Sequence, residues 1–468
     1  MTQYEHDTDR SAKERTVTRR GFLKSGVAAG AAFASPTIVP GMVFGANAPS
    51  NRVTVGLLGC GALAGYYHSE LLGKMEDVRV VAACDAFKSR REHRAAAFNQ
   101  LYGGSDICTP HADFRDVLAR PDVDAVVIAA HDNWHTPMSI AAVRAGKDVY
   151  CQKPLALDLT RTKLLRRVVN RYGPVFQFGT QYRSMEKYRK MIELIRNGYI
   201  GELKRIDVWS QTLHATYASK QYHVKPYGST KEVPVPKDLD FDAWQGPSPM
   251  VPYTVDRCTR WGGFHCPETS LGFIAGCGVH PLGIAQWGNK ADHTSPIRYE
   301  GTGNIPTEGI FRTLDRWDVA CDYENGVKMR FMDFHTAKPV VSSYGFWPWM
   351  DMDGLLFHGT DGWFAAQEVN GFFTSDERLW DVNLKPDEER LPVGIEHNRN
   401  FIDCVKSRQE PLCPVEMAIR CDTICHLARA AALLGRAIQW DPEKEEVVDD
   451  PIAAGMLSLP YREKWKVW

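Results

Sequence analysis

Between Arg52 and Asp85 the chain runs strand, glycine turn, helix, strand, acid, an order that few folds can accommodate. Residues 52–58 form a short aliphatic and β-branched run, Gly59-Cys60-Gly61-Ala62-Leu63-Ala64 follows, a helix-compatible stretch reaches Leu72, and a second apolar strand, 78–84, ends at Asp85. Each part has a physical reason. Gly59 permits a tight turn, and Gly61 lets the backbone approach a pyrophosphate. Ala62 and Leu63 open a helix whose first N–H groups and dipole face the phosphates. Ala64 keeps helix and strand close. Asp85 is placed to accept hydrogen bonds from the two hydroxyls of an adenosine ribose and to repel a 2′-phosphate, which favours NAD. Nearby Lys88, Arg90 and Arg91 could pair with such a phosphate, so NADP stays open.

The alternation continues past this unit. Asp124 to Ala130 reads as a buried parallel strand, Pro137 to Ala145 as a helix, and Lys147 to Cys151 as another strand that runs into Gln152-Lys153-Pro154. Ligands of open parallel sheets bind beyond the carboxyl ends of the strands, where Ala130, His131-Asp132-Asn133-Trp134-His135 and Gln152-Lys153 all fall. From about Phe178 the pattern changes to segments that read as antiparallel strands (203–211, 317–323, 327–334) and two late helices, 396–407 and 416–438. The Pro-rich stretch 233–252 carries tryptophan and tyrosine and reads as a long ordered surface loop. The predicted class is α/β: a Rossmann dinucleotide-binding domain over 49–178, then an α/β domain over 179–468 for substrate binding and oligomerisation.

The first 48 residues read as an address. Thr18-Arg19-Arg20-Gly21-Phe22-Leu23-Lys24 precedes a moderately apolar stretch, 25–39, and Ala46-Asn47-Ala48 supplies a small-residue cleavage pattern. That order predicts a twin-arginine export signal and a periplasmic protein, with no membrane contact beyond the signal. With 56 basic and 57 acidic residues, formal net charge −1, there is no chain-wide field for a nucleic acid. The 12 cysteines form no CxxC pair and no metal-ligand spacing, and several sit in apolar runs as small hydrophobes, so no metal is expected.

Taken together, the glycine turn at 59–64, Asp85, Asn133-Trp134-His135, Gln152-Lys153-Pro154, Gly179-Thr180-Gln181, Gly278-Val279-His280, Asp403-Cys404-Val405-Lys406-Ser407 and Pro460-Tyr461-Arg462 resemble the exported branch of the glucose-fructose oxidoreductase, inositol dehydrogenase and rhizopine-catabolism (Gfo/Idh/MocA) family. The resemblance spans the chain after the signal. It implies a Rossmann domain followed by a large, mostly antiparallel open sheet that commonly forms a dimer or tetramer interface. It also implies tightly bound NAD or NADP and a carbohydrate or cyclitol substrate. Carried over, Lys153 and His280 become the catalytic pair that binds the hydroxyl of the reacting carbon. Hydride leaves a secondary alcohol only as its proton is removed, and an ammonium beside the developing alkoxide lowers the same barrier. Asn133, His135, Gln152 and Lys153 itself join the cofactor set. Gln181, Arg183, Arg260, Trp261 and His265 join Lys153 and His280 at the substrate, with Trp134, Trp244, Tyr253 and Phe264 as possible flat faces for a sugar ring.

Three positions depart from that pattern. Gln152 stands where the family has glutamate, Gly276 where an aspartate often precedes the histidine by four residues, and Gly283 where a carboxylate follows it by three. A histidine without its carboxylate is a weaker base, so other groups, among them His131, Asp132, Tyr182 and His265, come into play. Three activities remain open at this point: an NAD(P)-dependent oxidoreductase of a sugar, glycoside or cyclitol; a glycoside-cleaving enzyme that works by transient oxidation and elimination; and a non-catalytic sugar-binding protein on the same fold.

Overall fold

Strands such as Ala125–Ile128, in which every side chain is buried, can only lie in a sheet covered on both faces. The computed structural model describes residues 51–212, 227–259, 262–346, 352–368 and 371–467, and builds that sheet from six parallel strands. They are β1 (Val53–Leu58), β2 (Val78–Cys84), β3 (Thr109–His111), β4 (Ala125–Ile128), β5 (Asp148–Gln152) and β6 (Phe176–Gly179), in the spatial order β3-β2-β1-β4-β5-β6. This is the doubly wound dinucleotide order. The predicted signal segment, residues 1–48, lies outside the described residues.

The second sheet has nine strands: β7 (Leu203–Ser210), β8 (Arg298–Asn304), β9 (Arg316–Asp322), β10 (Lys328–Asp333), β11 (Gly354–Gly359), β12 (Trp363–Gln367), β13 (Gly371–Thr374), β14 (Ile438–Asp441) and β15 (Glu446–Val447). Their order is β13-β12-β11-β7-β10-β9-β8-β14-β15. All neighbours are antiparallel except β7 and β10, which pair in parallel from Arg205 with Lys328 to Ser210 with Asp333. From the sequence both read as antiparallel. Alternation of faces has the same period in either arrangement, so only the long connection between them decides. The α/β class with a large, mostly antiparallel second sheet is as expected.

Two features lock the halves of the unit Arg52–Trp468 together. The helix His397–Ser407 returns to the first sheet, where Phe401, Ile402 and Cys404 share a buried cluster with Val53, Val55 and Leu57, and Arg399 pairs with Asp77 at 2.8 Å. The stretch 233–252, expected as a surface loop, instead reaches across to the nucleotide half. Its short helix Phe241–Gln245 buries Phe241 and Trp244 in a cluster with Leu239 and Cys258, and Phe87 packs against it. The Asp238 carboxylate and carbonyl accept the N–H groups of Ser89 and Lys88 (both 2.8 Å), the first residues of the helix Lys88–Tyr102.

Candidate active site beyond the parallel strands

A cavity of about 890 Å³ opens at the carboxyl ends of the parallel strands, with Gly59 to Leu63, Asp85 and Arg90 at one end. Gly59 has φ of 96°, and a Cβ there would lie 2.5 Å from the Ala129 carbonyl, so only glycine makes this turn. A Cβ on Gly61 would meet nothing within 4 Å; the backbone faces open space there. The helix behind it winds as a π-helix over Ala64–Ser69, with Ala64 fully buried. Asp85 is fixed by the Cys60 N–H (2.7 Å) and the Phe87 N–H (2.8 Å), one on each carboxylate oxygen. Burial raises its carboxyl above the ordinary value while those N–H groups hold it down. Each oxygen keeps acceptor capacity for a ribose hydroxyl. The Arg90 guanidinium stacks 3.9 Å over Phe87. An open floor at Gly61, helix amides and a fixed carboxylate fit a dinucleotide.

Lys153 stands past β5 on a backbone held from three sides. His135 bonds the Pro154 carbonyl, the Thr136 hydroxyl donates to the Leu155 carbonyl (2.9 Å), and Asp422, from the helix Val415–Leu434, accepts the N–H groups of Leu155 (3.2 Å) and Ala156 (3.0 Å). No local motif points to Asp422; its role comes from tertiary packing. The ammonium donates to the Gly276 carbonyl and lies 5.8 Å from the Phe264 ring. Gln152, in place of the family's glutamate, donates its amide to His68 Nε2 (2.8 Å), whose Nδ1 bonds Asn398 Oδ1 (2.8 Å). Burial drops the His68 pKa to about 4. A neutral imidazole needs a donor at that nitrogen, which an amide supplies and a carboxylate does not.

His280 comes from the helix Val279–Gly288 and enters the cavity wall with its ring stacked on Tyr182 (4.8 Å, 28°). Its Nδ1 is buried without a hydrogen-bond partner among the described residues. Burial, with Lys153 and His397 adding to it, pushes its pKa well below the usual imidazole value, which makes it a weak proton acceptor. The site's carboxyls come from elsewhere. Asp132, which accepts from the Ser270 hydroxyl, and Asp353, which accepts from the Tyr182 hydroxyl at 3.0 Å, both line the cavity. Burial raises each carboxyl to about 7. Glu368 lines it as well, and burial raises its carboxyl too.

The remaining sequence candidates divide. Ala130, His131, Gln181, Trp134, Trp244 and Phe264 line the same cavity. Asn133 and His135 do not. The helix begins at Asp132 rather than Pro137, so both side chains are buried in its first turn. Asn133 Nδ2 donates to the Gln245 carbonyl (2.9 Å) and Ser248 Oγ (3.0 Å), holding the crossing segment. His135 lies between the Pro154 and Ala130 carbonyls; burial lowers its pKa to about 4, so the neutral ring donates to one at a time. Arg183, expected at the substrate, is buried in the second half, paired with Asp292 and donating to the Gly283 carbonyl (2.8 Å). His265, also expected there, is buried against Phe273 and Phe311 with Nδ1 near Thr313 Oγ1 (3.4 Å). Tyr253 packs on Phe241. Arg260 and Trp261 lie outside the described residues.

Two family models match the chain. One, an oxidoreductase family with an NAD-binding Rossmann fold, covers residues 53–180; its companion, an oxidoreductase-family C-terminal alpha/beta domain, covers 185–334 and 373–467. Inositol 2-dehydrogenase 2 of Saccharopolyspora erythraea is 33% identical over 56% of this chain and 80% of its own length. Inositol 2-dehydrogenase of Rhizobium meliloti is 31% identical over 34% of this chain, which spans only 45% of that protein. Among solved structures, GenD2 from gentamicin A biosynthesis, in complex with NAD, aligns at TM-score 0.58 and 17% identity over 84% of this chain and 97% of its own. The aldose-aldose oxidoreductase of Caulobacter crescentus aligns at TM-score 0.57 and 15% identity over 83% and 99%. At such identities the structures attest the fold.

Proposed function

Given that the chain belongs to the Gfo/Idh/MocA oxidoreductase family, we propose that it is an NAD(P)-dependent oxidoreductase acting on a secondary alcohol of a sugar, glycoside or cyclitol. One observation carries the reading: a single cavity runs from the glycine turn and Asp85 to Lys153 and His280, so one dinucleotide and one small polyol would share it. Gly59 to Leu63 would hold the pyrophosphate, and Asp85 the adenosine ribose, with Arg90 beside it. When bound, the oxidised nicotinamide supplies the hydride acceptor. The chain's own groups do the rest. Lys153 places a positive charge where the hydroxyl oxygen becomes alkoxide. His280, neutral and held flat by its stack on Tyr182, offers a hydrogen bond to the same oxygen. Trp244 and Phe264 bring apolar ring faces into the wall beside polar Gln181, a mixture suited to the C–H and O–H faces of a sugar.

The test is calorimetric titration of NAD and NADP into the protein, followed by absorbance of the bound nicotinamide with myo-inositol, D-glucose and methyl β-D-glucoside. Binding in the micromolar range or tighter and a new reduced-nicotinamide band are expected; no dinucleotide binding refutes the reading. Release of methanol from the glucoside without net reduction would select transient oxidation and elimination. Binding with no spectral change would select a sugar-binding protein. We also propose twin-arginine export to the periplasm, on the pattern of residues 18–24 and 46–48, and a homo-oligomer formed through the large sheet. The mass of the mature N-terminus and light scattering test these two.

A further inference from the structure

Resting on the oxidoreductase reading, we propose that the hydroxyl proton leaves through Tyr182 to Asp353, so that this pair, rather than His280, is the proton acceptor of the reaction. Three rings stand in a stack: His280 on Tyr182, and Tyr182 on Tyr188 at 4.9 Å and 9°. The Tyr182 hydroxyl donates to Asp353 Oδ2 at 3.0 Å and the Tyr188 hydroxyl to the Glu368 carbonyl at 2.6 Å, so one segment grips both phenols. Asp353 is 2% exposed and Tyr182 6%, yet both line the cavity that holds Lys153 and His280. Asp353 and Glu368 belong to the stretch 335–372, which falls between the two matched parts of the C-terminal family model. Carboxylates thus reach the site from a stretch outside the matched parts, while the positions where the resemblance would put them are Gly276 and Gly283.

The chemistry balances. The C–H bond breaks and its electron pair leaves as hydride to the oxidised nicotinamide. The hydroxyl proton passes to the Tyr182 oxygen as the Tyr182 proton passes to the Asp353 carboxylate. A ketone, a reduced nicotinamide and an Asp353 carboxylic acid result, and the acid later loses its proton to water. Tyr182 is the catalytic residue and Asp353 a positioning residue acting through it. The burial that raises Asp353 to about 7 makes it the stronger base, and the burial that lowers His280 removes its competitor. The titratable groups facing Asp353 are Glu368, Lys153, Tyr182, Tyr188 and Cys277.

The variants are Asp353→Asn and Tyr182→Phe in the full chain. Each should bind NAD as the wild type does, keep KM for the polyol within about threefold, and lose kcat by about 100-fold or more. Wild-type kcat should fall as pH drops through about 7, and the residual rate of Asp353→Asn should lack that limb. Cofactor-free wild type should show a buried carboxylic-acid band in the infrared spectrum at about pH 6 that Asp353→Asn diminishes. If the wild type reduces nicotinamide while either variant keeps its kcat, or if the acid limb survives in Asp353→Asn, this proposal falls and the oxidoreductase reading stands. If the wild type reduces no nicotinamide with any polyol, both fall.

Discussion

Replacing Asp132 with asparagine should make the cofactor-free protein more stable, and by an amount that grows with pH. The carboxyl is 2% exposed, with the Ser270 hydroxyl as its hydrogen-bond partner and Lys153 as the main positive charge in reach. Burial dominates and lifts its pKa from 3.8 to about 7. A raised carboxyl binds its proton more tightly in the folded state than in the unfolded one. The resulting penalty is absent below the unfolded pKa and reaches its full size above the folded one. At about 1.4 kcal/mol per tenfold change in proton affinity, the full penalty is about 4 kcal/mol, of which rather more than half develops between about pH 5 and about pH 8. Asparagine has the same shape and still accepts from Ser270, but never ionises. Urea unfolding at the two pH values gives the double difference directly. Equal gains at both, or a loss at the higher pH, would refute the view that burial holds this carboxyl well above its ordinary value in the folded protein.

Three further outcomes follow from the geometry. Gly59→Ala should cost about 2–4 kcal/mol of stability through its positive φ and its clash with the Ala129 carbonyl, whereas Gly61→Val should melt like the wild type and bind NAD at least about tenfold more weakly; melting curves and calorimetry that fail to separate the two would contradict the assigned pyrophosphate floor. Asp85→Ala should weaken NAD by about 1–3 kcal/mol, and unchanged affinity would remove the carboxylate from the ribose. Asn133→Leu should lower stability by about 1–3 kcal/mol, because two buried acceptors lose their donor, while leaving NAD affinity in place; the reverse pattern in denaturation and titration would return Asn133 to the cofactor.

What could be read ahead of the structure was local. The turn at Gly59, the floor at Gly61 and the acid at Asp85 sit within one strand-helix-strand unit, and a fully apolar strand such as Ala125–Ile128 announces a two-sided sheet. Lys153 was legible because it directly follows such a strand. Asn133 and His135 read as cofactor residues because they follow a buried parallel strand and match the family motif; the helix in fact begins at Asp132, five residues before Pro137, and buries both side chains in its first turn, and a proline in its first two turns forfeits one backbone hydrogen bond. Arg183 gives no sequence sign of its partner Asp292, more than a hundred residues on. Asp353, Glu368 and Asp422 carry no motif at all. They matter because strands and helices far apart in sequence bring them to Tyr182, the cavity and the Lys153 loop, and no periodicity records that.

The most direct measurement is the spectrum of NAD-loaded wild type and Lys153→Ala mixed with the polyol that the wild type oxidises. Both proteins should bind NAD equally, and only the wild type should develop the reduced-nicotinamide band at an appreciable rate. A Lys153→Ala protein that reduces its nicotinamide as fast as the wild type would contradict the placement of the chemistry between the end of β5 and the helix bearing His280.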